Sequence, residues 1–228
     1  KIAWYENDGS ESFTEHVIST SADAVRSVYA ADVDGDGDMD VLSASSDDDK
    51  ISWYENDGSE NFTEHVISTS SDGARSVYAA DVDGDGDMDV LSAGEEDDTI
   101  AWYENDGSEN FTEHLISTSG EWPHSVKAAD VNGDGYMDVL SASFRDDKIA
   151  WYENDGSENF TEHVISTSAD GAFSAYAADV DGDGDMDVLS ASELDDKITW
   201  YEQTYEGDYV TYTQHDTMLA VVDQSKWI

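Results

Sequence analysis

The sequence has no cysteine, one proline and only 9 lysine and arginine residues, against 55 aspartate and glutamate residues in 228. Without cysteine there is no disulfide, no thiolate metal site and no cysteine nucleophile. The net charge of −46 repels phosphate backbones and anionic lipid, so we expect no nucleic-acid partner. No apolar run approaches the roughly 18 residues of a membrane span, so we expect no membrane insertion. Hydrophobic residues make up 38% of the chain, which is too many for a disordered acidic tail.

A repeat with a step of 49 residues runs through most of the chain. A Trp-Tyr-Glu string and an acidic loop both recur with this step, and most positions between them are identical or nearly so. Each copy must therefore form the same supersecondary unit. The strings begin at Trp4, Trp53, Trp102, Trp151 and Trp200, and the acidic loops begin at Asp32, Asp81, Asp130 and Asp179.

One repeat contains four strand-like runs separated by turns: A (27–33), B (39–45), C (50–56) and D (62–68). In run C, Ile51 and Trp53 alternate with Ser52 and Tyr54, which is the period-2 pattern of a strand. The 3.6-residue period of a helical solenoid is absent, and a parallel β-helix would need a shorter repeat. The sequence therefore predicts an all-β fold, a β-propeller of four-stranded antiparallel blades.

The repeats are expected to form a single β-propeller domain over residues 1–228. In the tail, Tyr212 to His215 resembles run D and Met218 to Asp223 resembles run A, while Lys226 to Ile228 could form run B. Together with runs C and D at the N-terminus they would complete a fifth blade, close the ring and leave no unpaired sheet edge there. The repeats are 1–24 (partial), 25–73, 74–122, 123–171 and 172–203 (partial), followed by the divergent closing tail 204–228.

An alternative to the closed five-bladed ring is an excised arc of a larger ring. The chain begins at Lys1, without a methionine and within a repeat, so we expect a mature product or a piece of a longer protein. As an arc, it would close only by forming an oligomer.

The acidic loop has the pattern Asp-x-Asp-Gly-Asp-Gly-x-x-Asp. Side-chain oxygens at positions 1, 3, 5 and 9, with a backbone carbonyl near position 7, supply the 6–8 oxygen ligands that Ca²⁺ prefers. Mg²⁺ requires a smaller octahedron, and zinc would require histidine or cysteine. We predict about four Ca²⁺ per chain, one in each loop. The predicted metal-site residues are Asp32, Asp34, Asp36, Asp38 and Asp40; Asp81, Asp83, Asp85, Asp87 and Asp89; Asp130, Asn132, Asp134, Tyr136 and Asp138; and Asp179, Asp181, Asp183, Asp185 and Asp187.

The acidic loop between two strands, followed by a Trp-Tyr-Glu-Asn strand, resembles the FG-GAP/VCBS repeat family found in the β-propeller head of integrin α subunits. The resemblance covers residues 1–203. It implies Ca²⁺ in the A–B loops on one propeller face, an extracellular setting (secreted or on the cell surface) and a role in adhesion or recognition. Members also occur as appendages of secreted polysaccharide-degrading enzymes. Integrin heads resemble seven-bladed rings, whereas this chain has material for about five blades.

Two further features recur in every copy and are expected to be structural. His16, His65, His114 and His163 each follow a glutamate in run D, and a Glu–His pair can perform acid–base chemistry. A catalytic site normally occurs once, so we expect a hydrogen bond within each blade and no enzymatic activity. The Trp and Tyr of the repeated string could stack on sugars, but their alternation favours packing in the core.

The copies differ mainly in the D–A loops (22–26, 71–75, 120–124 and 169–173) and in the B–C turns (46–47, 95–96, 144–145 and 193–194). In a propeller these connections share the face opposite the acidic loops, and aromatic residues and arginine are typical of recognition surfaces. We therefore expect an extracellular binding module for an acidic glycan or protein; a purely structural module or spacer is the alternative. The candidate ligand-binding residues are Arg26, Arg75, Trp122, His124, Phe144, Arg145 and Phe173.

Overall fold

A computed structural model describes residues 1–206 and 209–217. These residues form strands joined by turns, arranged as one two-stranded sheet followed by four four-stranded sheets. The strands of the successive sheets are β1 (Ile2–Asn7) and β2 (Phe13–Ser19); β3 (Val25–Ala31), β4 (Asp40–Ser45), β5 (Lys50–Asn56) and β6 (Phe62–Ser68); β7 (Ala74–Ala80), β8 (Asp89–Gly94), β9 (Thr99–Asn105) and β10 (Phe111–Ser117); β11 (Pro123–Ala129), β12 (Asp138–Ser143), β13 (Lys148–Asn154) and β14 (Phe160–Ser166); β15 (Ala172–Ala178), β16 (Asp187–Ser192), β17 (Lys197–Glu206) and β18 (Tyr209–Thr217).

Each four-stranded sheet is an antiparallel meander in which strands pair in chain order, from run A to run D. The register repeats from sheet to sheet, since Trp53 lies opposite His65 and Trp102 lies opposite His114. The prediction of an all-β fold with four-stranded antiparallel, blade-like sheets repeating about every 49 residues is confirmed.

The chain forms two compact units, one from Lys1 to Ser119 and one from Gly120 onward. The first contains the sheets β1–β2, β3–β6 and β7–β10, and the second contains β11–β14 and β15–β18. The tail residues Tyr212 to His215 lie in β18, paired with β17, as run D should. The runs predicted at 218–223 and 226–228 lie outside the described residues, so the single domain and the closed ring of five blades stay predictions.

Runs C and D have the predicted bounds, and run B begins one residue later than predicted, at Asp40. The bounds predicted for run A, 27–33, are wrong, since β3 spans Val25–Ala31. The strand ends early because Asp32 and Val33 already belong to the acidic loop, where the Val33 N–H donates to the carboxylate of Asp40 (3.0 Å) instead of pairing with a strand.

The repeated Trp and Tyr side chains of the three complete repeats lie in the core, as expected, whereas Tyr5 in β1 is 57% exposed and Trp4 and Trp200 are partly buried. Trp53, Tyr54 and Trp102 are about 1% exposed in the first unit, and Trp151 and Tyr152 are equally well buried in the second. The inner strands are the most deeply buried, because every residue of β8 and of β12 is buried. The loops at both ends of each sheet are therefore attached to a buried core.

The loops gather at the two ends of each sheet as predicted. At one end the D–A loop pairs with the B–C turn, since Ser46 N–H donates to the carbonyl of Ala24 (3.2 Å) and Phe144 N–H to that of Trp122 (2.9 Å). At the other end the acidic A–B loop lies against the C–D turn, because the Asp38 side chain fills the space above Gly58.

Candidate metal centres and loop surfaces

The acidic loop is shaped by its own carboxylates, which accept hydrogen bonds from the backbone of the turn. In the first loop, Asp32 accepts from Gly37 N–H (3.0 Å), Asp34 from Asp36 N–H (3.1 Å) and Asp36 from Asp38 N–H (2.8 Å). Gly37 has a φ of 97°, in the left-handed region that residues with a side chain resist. The turn therefore directs alternate carboxylates toward one point.

Three of the four loops bring three carboxylates together. In each of them the ligating oxygen atoms lie within 4.8 Å of one another, which is close enough to hold one ion. The groups are Asp32, Asp34 and Asp36; Asp81, Asp83 and Asp85; and Asp179, Asp181 and Asp187. Burial, together with the nearby carboxylates of Asp40, Asp36 and Asp32, raises the pKa of Asp34, so the unneutralised charges repel one another.

Aspartate at position 9 is the buried anchor of each loop. Both oxygen atoms of Asp89 accept backbone hydrogen bonds, from Val82 N–H (2.9 Å) and from Asn105 N–H (2.8 Å). The carboxylate thus ties the acidic loop to the end of strand C. Burial raises the pKa of Asp89 to about 6 and that of Asp138 to about 7. The sequence predicted ligands here; the structure adds an anchoring role, and only Asp187 also joins a cluster.

Side chains at position 7 face the C–D turn. Asp38 and Asp87 lie so close above Gly58 and Gly107 that neither glycine has room for a Cβ atom. The ring of Tyr136 covers Gly156 in the same way. This orientation is consistent with a backbone carbonyl as the ligand at position 7.

The donor set fits a hard cation. Every candidate side-chain ligand in the loops is an oxygen atom, which suits Ca²⁺ and does not suit zinc. One carboxylate oxygen each of Asp32 and Asp130 is buried and has no hydrogen-bond partner among the described residues. Burying an anionic oxygen without a partner costs free energy. A cation bound in each of the two loops would supply the missing partner.

The third loop differs from the others because an amide replaces a carboxylate. Asn132 Nδ2 donates to Asp134 Oδ2 (3.0 Å) and points toward Glu153 Oε1 (3.4 Å). The Tyr205 hydroxyl donates to the backbone carbonyl of Asn132 (2.6 Å). The side-chain amide of Asn132 thus partly compensates the negative charge of Asp134, which in a calcium site the ion would neutralise.

We expect the third loop to bind calcium more weakly than the others, because ligand charge tunes affinity. Asn132→Asp should strengthen binding at this site roughly tenfold, and the mirror substitution Asp83→Asn should create a second weak site. Calorimetric titration of both variants against the parent protein measures this. If Asn132→Asp weakened calcium binding, the charge argument would be wrong.

Each Trp of the repeated string belongs to a structural group with a histidine and a glutamate. The ring of His65 stacks on Trp53, with centroids 4.6 Å apart, and His65 Nε2 lies 2.7 Å from Glu55 Oε2. The predicted hydrogen bond within each blade is confirmed, but its partner is the glutamate of strand C, not the glutamate that precedes the histidine. The other groups are Trp4, His16 and Glu6; Trp102, His114 and Glu104; Trp151, His163 and Glu153; and Trp200, His215 and Glu202.

At the opposite end of the first unit, both candidate arginines contact their own B–C turn. Arg26 Nε donates to Ser46 Oγ (3.0 Å). Arg75 forms an ion pair with Glu95 (3.2 Å), and both side chains are largely buried. The charge of Arg75 is therefore already balanced within the sheet.

In the second unit, the remaining candidates form two groups of stacked rings. The Arg145 guanidinium lies 3.4 Å from the ring centroid of Trp122. His124 stacks on Phe144 (4.8 Å between centroids) and meets Phe173 edge to face (5.1 Å). The structure thus places the five predicted ligand-binding residues of this unit in two stacked groups.

Sequence reasoning missed a cleft beside the third acidic loop. The hairpin β17–β18 forms one wall, and Tyr205 and Tyr209 project from it beside Asn132 and Asp134. Both tyrosines lie in the tail, where the repeat breaks down, so comparison of the copies could not reveal them. The available signal was the aromatic content of Tyr205 to Tyr212, where the other copies have a short Asp-Gly turn.

The chain belongs to the FG-GAP-like repeat family. The family model matches residues 1–43, 32–92, 81–141 and 130–190 in overlapping segments, which together include all four acidic loops. The predicted family is therefore confirmed. No curated protein sequence matches the chain significantly.

Among the solved structures of similar fold are a protein from Lactobacillus plantarum, the Vibrio cholerae biofilm matrix protein Bap1 and the periplasmic gluconolactonase PpgL of Pseudomonas aeruginosa. Their TM-scores are 0.65, 0.53 and 0.52, and their sequence identities to this chain are 16%, 22% and 14%, in the same order. The alignments cover 94%, 84% and 86% of this chain but only 62%, 28% and 57% of those proteins. At these identities the likeness establishes the fold alone. Among the residues described, no helix is long and apolar enough to cross a membrane.

Proposed function

We propose that the chain is a calcium-stabilised binding module of an extracellular protein, with no catalytic activity of its own. The observation that carries this proposal is the set of three carboxylate clusters, each with ligand atoms within 4.8 Å of one another. The clusters recur at one position of a repeated sheet, where an ion would hold the A–B turn closed. An ion that holds the same turn in each repeat has a structural role, since catalytic sites are seldom repeated.

The calcium ions would act mainly on the fold. In each blade the loop is tied to strand C by the buried aspartate at position 9, and calcium would neutralise the carboxylates around the turn. Extracellular calcium modules work with dissociation constants of about 10⁻⁴–10⁻³ M. We propose a secreted or cell-surface location because calcium modules of this kind work outside the cell. The biofilm matrix and periplasmic proteins of similar fold support this proposal.

The proposed ligand surface is the pair of stacked groups in the second unit, formed by Trp122 and Arg145 and by His124, Phe144 and Phe173. Trp122 supports a recognition role because it has a φ of 56°, in the left-handed region. Its counterparts in two other copies are Gly73 and Gly171, so the fold itself favours glycine here. A bulky residue kept under strain in a loop is a functional signal.

The proposed ligand is an acidic glycan or an acidic protein loop. Arg145 is exposed, so its guanidinium can pair with a carboxylate or sulfate while it remains stacked on Trp122. Arg75 is a weaker candidate than the sequence suggested, because Glu95 already balances its charge.

Trp122→Gly should separate recognition from stability. We expect binding of sulfated or uronate oligosaccharides on a glycan array to fall about tenfold or more, while the melting temperature stays constant or rises, because glycine relieves the positive φ. Arg145→Ala should reduce binding similarly, and Arg75→Ala serves as the matched control.

If Trp122→Gly and Arg145→Ala bind like the parent protein, the loop differences have no role in recognition. The chain would then act as a structural spacer of a surface assembly or as an appendage of a secreted enzyme.

A further inference from the structure

A cleft of about 490 Å³ opens beside the third acidic loop of the second unit. This volume lies within the range of small-molecule sites, roughly 300–1,000 Å³. The cleft is separate from the ligand surface proposed above, which lies at the opposite end of the sheets. Its lining includes Asn132, Asp134, Glu153, Tyr205 and Tyr209, above the stacked Trp151 and His163.

The wall of the cleft is a hairpin without a counterpart in the other sheets. Strands β17 and β18 have ten and nine residues, whereas β13 and β14 have seven each. The longer hairpin reaches the acidic loop of the neighbouring sheet, where Tyr205 binds the carbonyl of Asn132 (2.6 Å). Gln203 Nε2 donates to the hydroxyl of Tyr205 (3.1 Å), so both groups hold this ring in place.

The polar lining presents mainly hydrogen-bond acceptors. Asp134 Oδ2 accepts from Asn132, and Glu153 Oε2 lies 2.7 Å from His163 Nε2. Each carboxylate oxygen retains a free lone pair. Neither lysine nor arginine lines the cleft among the described residues. A ligand that brings donors and positive charge is therefore favoured over an anion.

Part of the wall of the cleft is aromatic and exposed. Tyr205 is 43% exposed and Tyr209 is 76% exposed. An aromatic ring attracts a cation to its face and also packs against the carbon face of a sugar.

We propose that this cleft binds an amino sugar, whose ammonium group pairs with Glu153, the lining carboxylate outside the acidic loop, while its ring packs against Tyr209 and Tyr205. A slender alkyl ammonium would pair with Glu153 but leave much of the cleft unfilled. A neutral sugar would fill it but forgo the charge-assisted hydrogen bonds.

The test uses a β-1,4-linked glucosamine disaccharide as the probe and its N-acetylated form as the neutral control, titrated calorimetrically in millimolar calcium. Sodium chloride at about 0.15 M limits long-range attraction to the acidic surface. We expect the amine form to bind about tenfold or more tightly than the acetylated form. Lysine amide should bind more weakly than the amino sugar.

Two variants locate the binding site. Tyr209→Ala leaves every charge in place and should weaken binding about two- to fivefold. Tyr176→Ala, which removes another exposed tyrosine of the same unit, should not. Glu153→Gln should weaken binding about tenfold, whereas Glu104→Gln changes the matching Glu–His pair of the first unit and should not. Equal binding of the acetylated disaccharide or of lysine amide, or unchanged binding by Tyr209→Ala, would overturn the proposal.

Discussion

Chelation of calcium with EGTA should lower the melting temperature by roughly 15–30 °C. In about 10 mM calcium, a site with a dissociation constant of about 10⁻⁴ M stabilises the native state by about 2.7 kcal/mol, so three such clusters together supply about 8 kcal/mol. For a chain of this size, each kcal/mol changes the melting temperature by about 2–4 °C. Thermal unfolding followed by circular dichroism, with and without calcium, measures the difference.

Ion binding must be separated from general screening, because any cation reduces self-repulsion in a chain with a net charge of −46. Thermal unfolding measured in magnesium at the same ionic strength provides that control, since magnesium demands a smaller, octahedral site. Magnesium should restore only a small part of the lost melting temperature, and added calcium should restore all of it. Equal rescue by both ions would indicate screening alone.

Asp89→Ala should destabilise the protein by about 2–6 kcal/mol even without calcium. The substitution leaves the N–H groups of Val82 and Asn105 without their acceptor, and each unsatisfied buried group costs about 1–3 kcal/mol. Urea denaturation in EGTA measures this change in the free energy of unfolding apart from any effect on the ion.

The matched control for Asp89→Ala is Asp87→Ala, two residues earlier in the same loop. The Asp87 side chain lies over Gly107 near the surface, so its removal in EGTA should change the free energy of unfolding by less than about 1 kcal/mol. If the two variants were equally stable, position 9 would not be the anchor of the loop.

The repeated pattern alone predicts most of the fold. The copies share four runs and an acidic loop, and each run forms a strand in the described sheets. Run A was placed wrongly because its end depends on Asp40, whose carboxylate takes the Val33 N–H. The anchoring role of Asp40 was also hidden, because its second donor, Asn56, follows 16 residues later.

The parts of the site that could not be predicted depend on contacts between distant or divergent segments. Tyr205 reaches Asn132, 73 residues earlier in the chain, and the tail that carries it departs from the repeat. The glutamate partner of each histidine lies on the neighbouring strand, which only the register reveals. The balanced charge of Arg75 likewise depends on how its loop meets Glu95.

The central claim is that the acidic loops are calcium sites that hold the repeated turns. A crystal structure determined in calcium, with anomalous diffraction to identify the ions, tests it most directly. We expect one ion in each loop that begins at Asp32, Asp81 and Asp179, with a more weakly occupied site at Asp130. Loops without ions in millimolar calcium, or ions bound only elsewhere, would contradict this account.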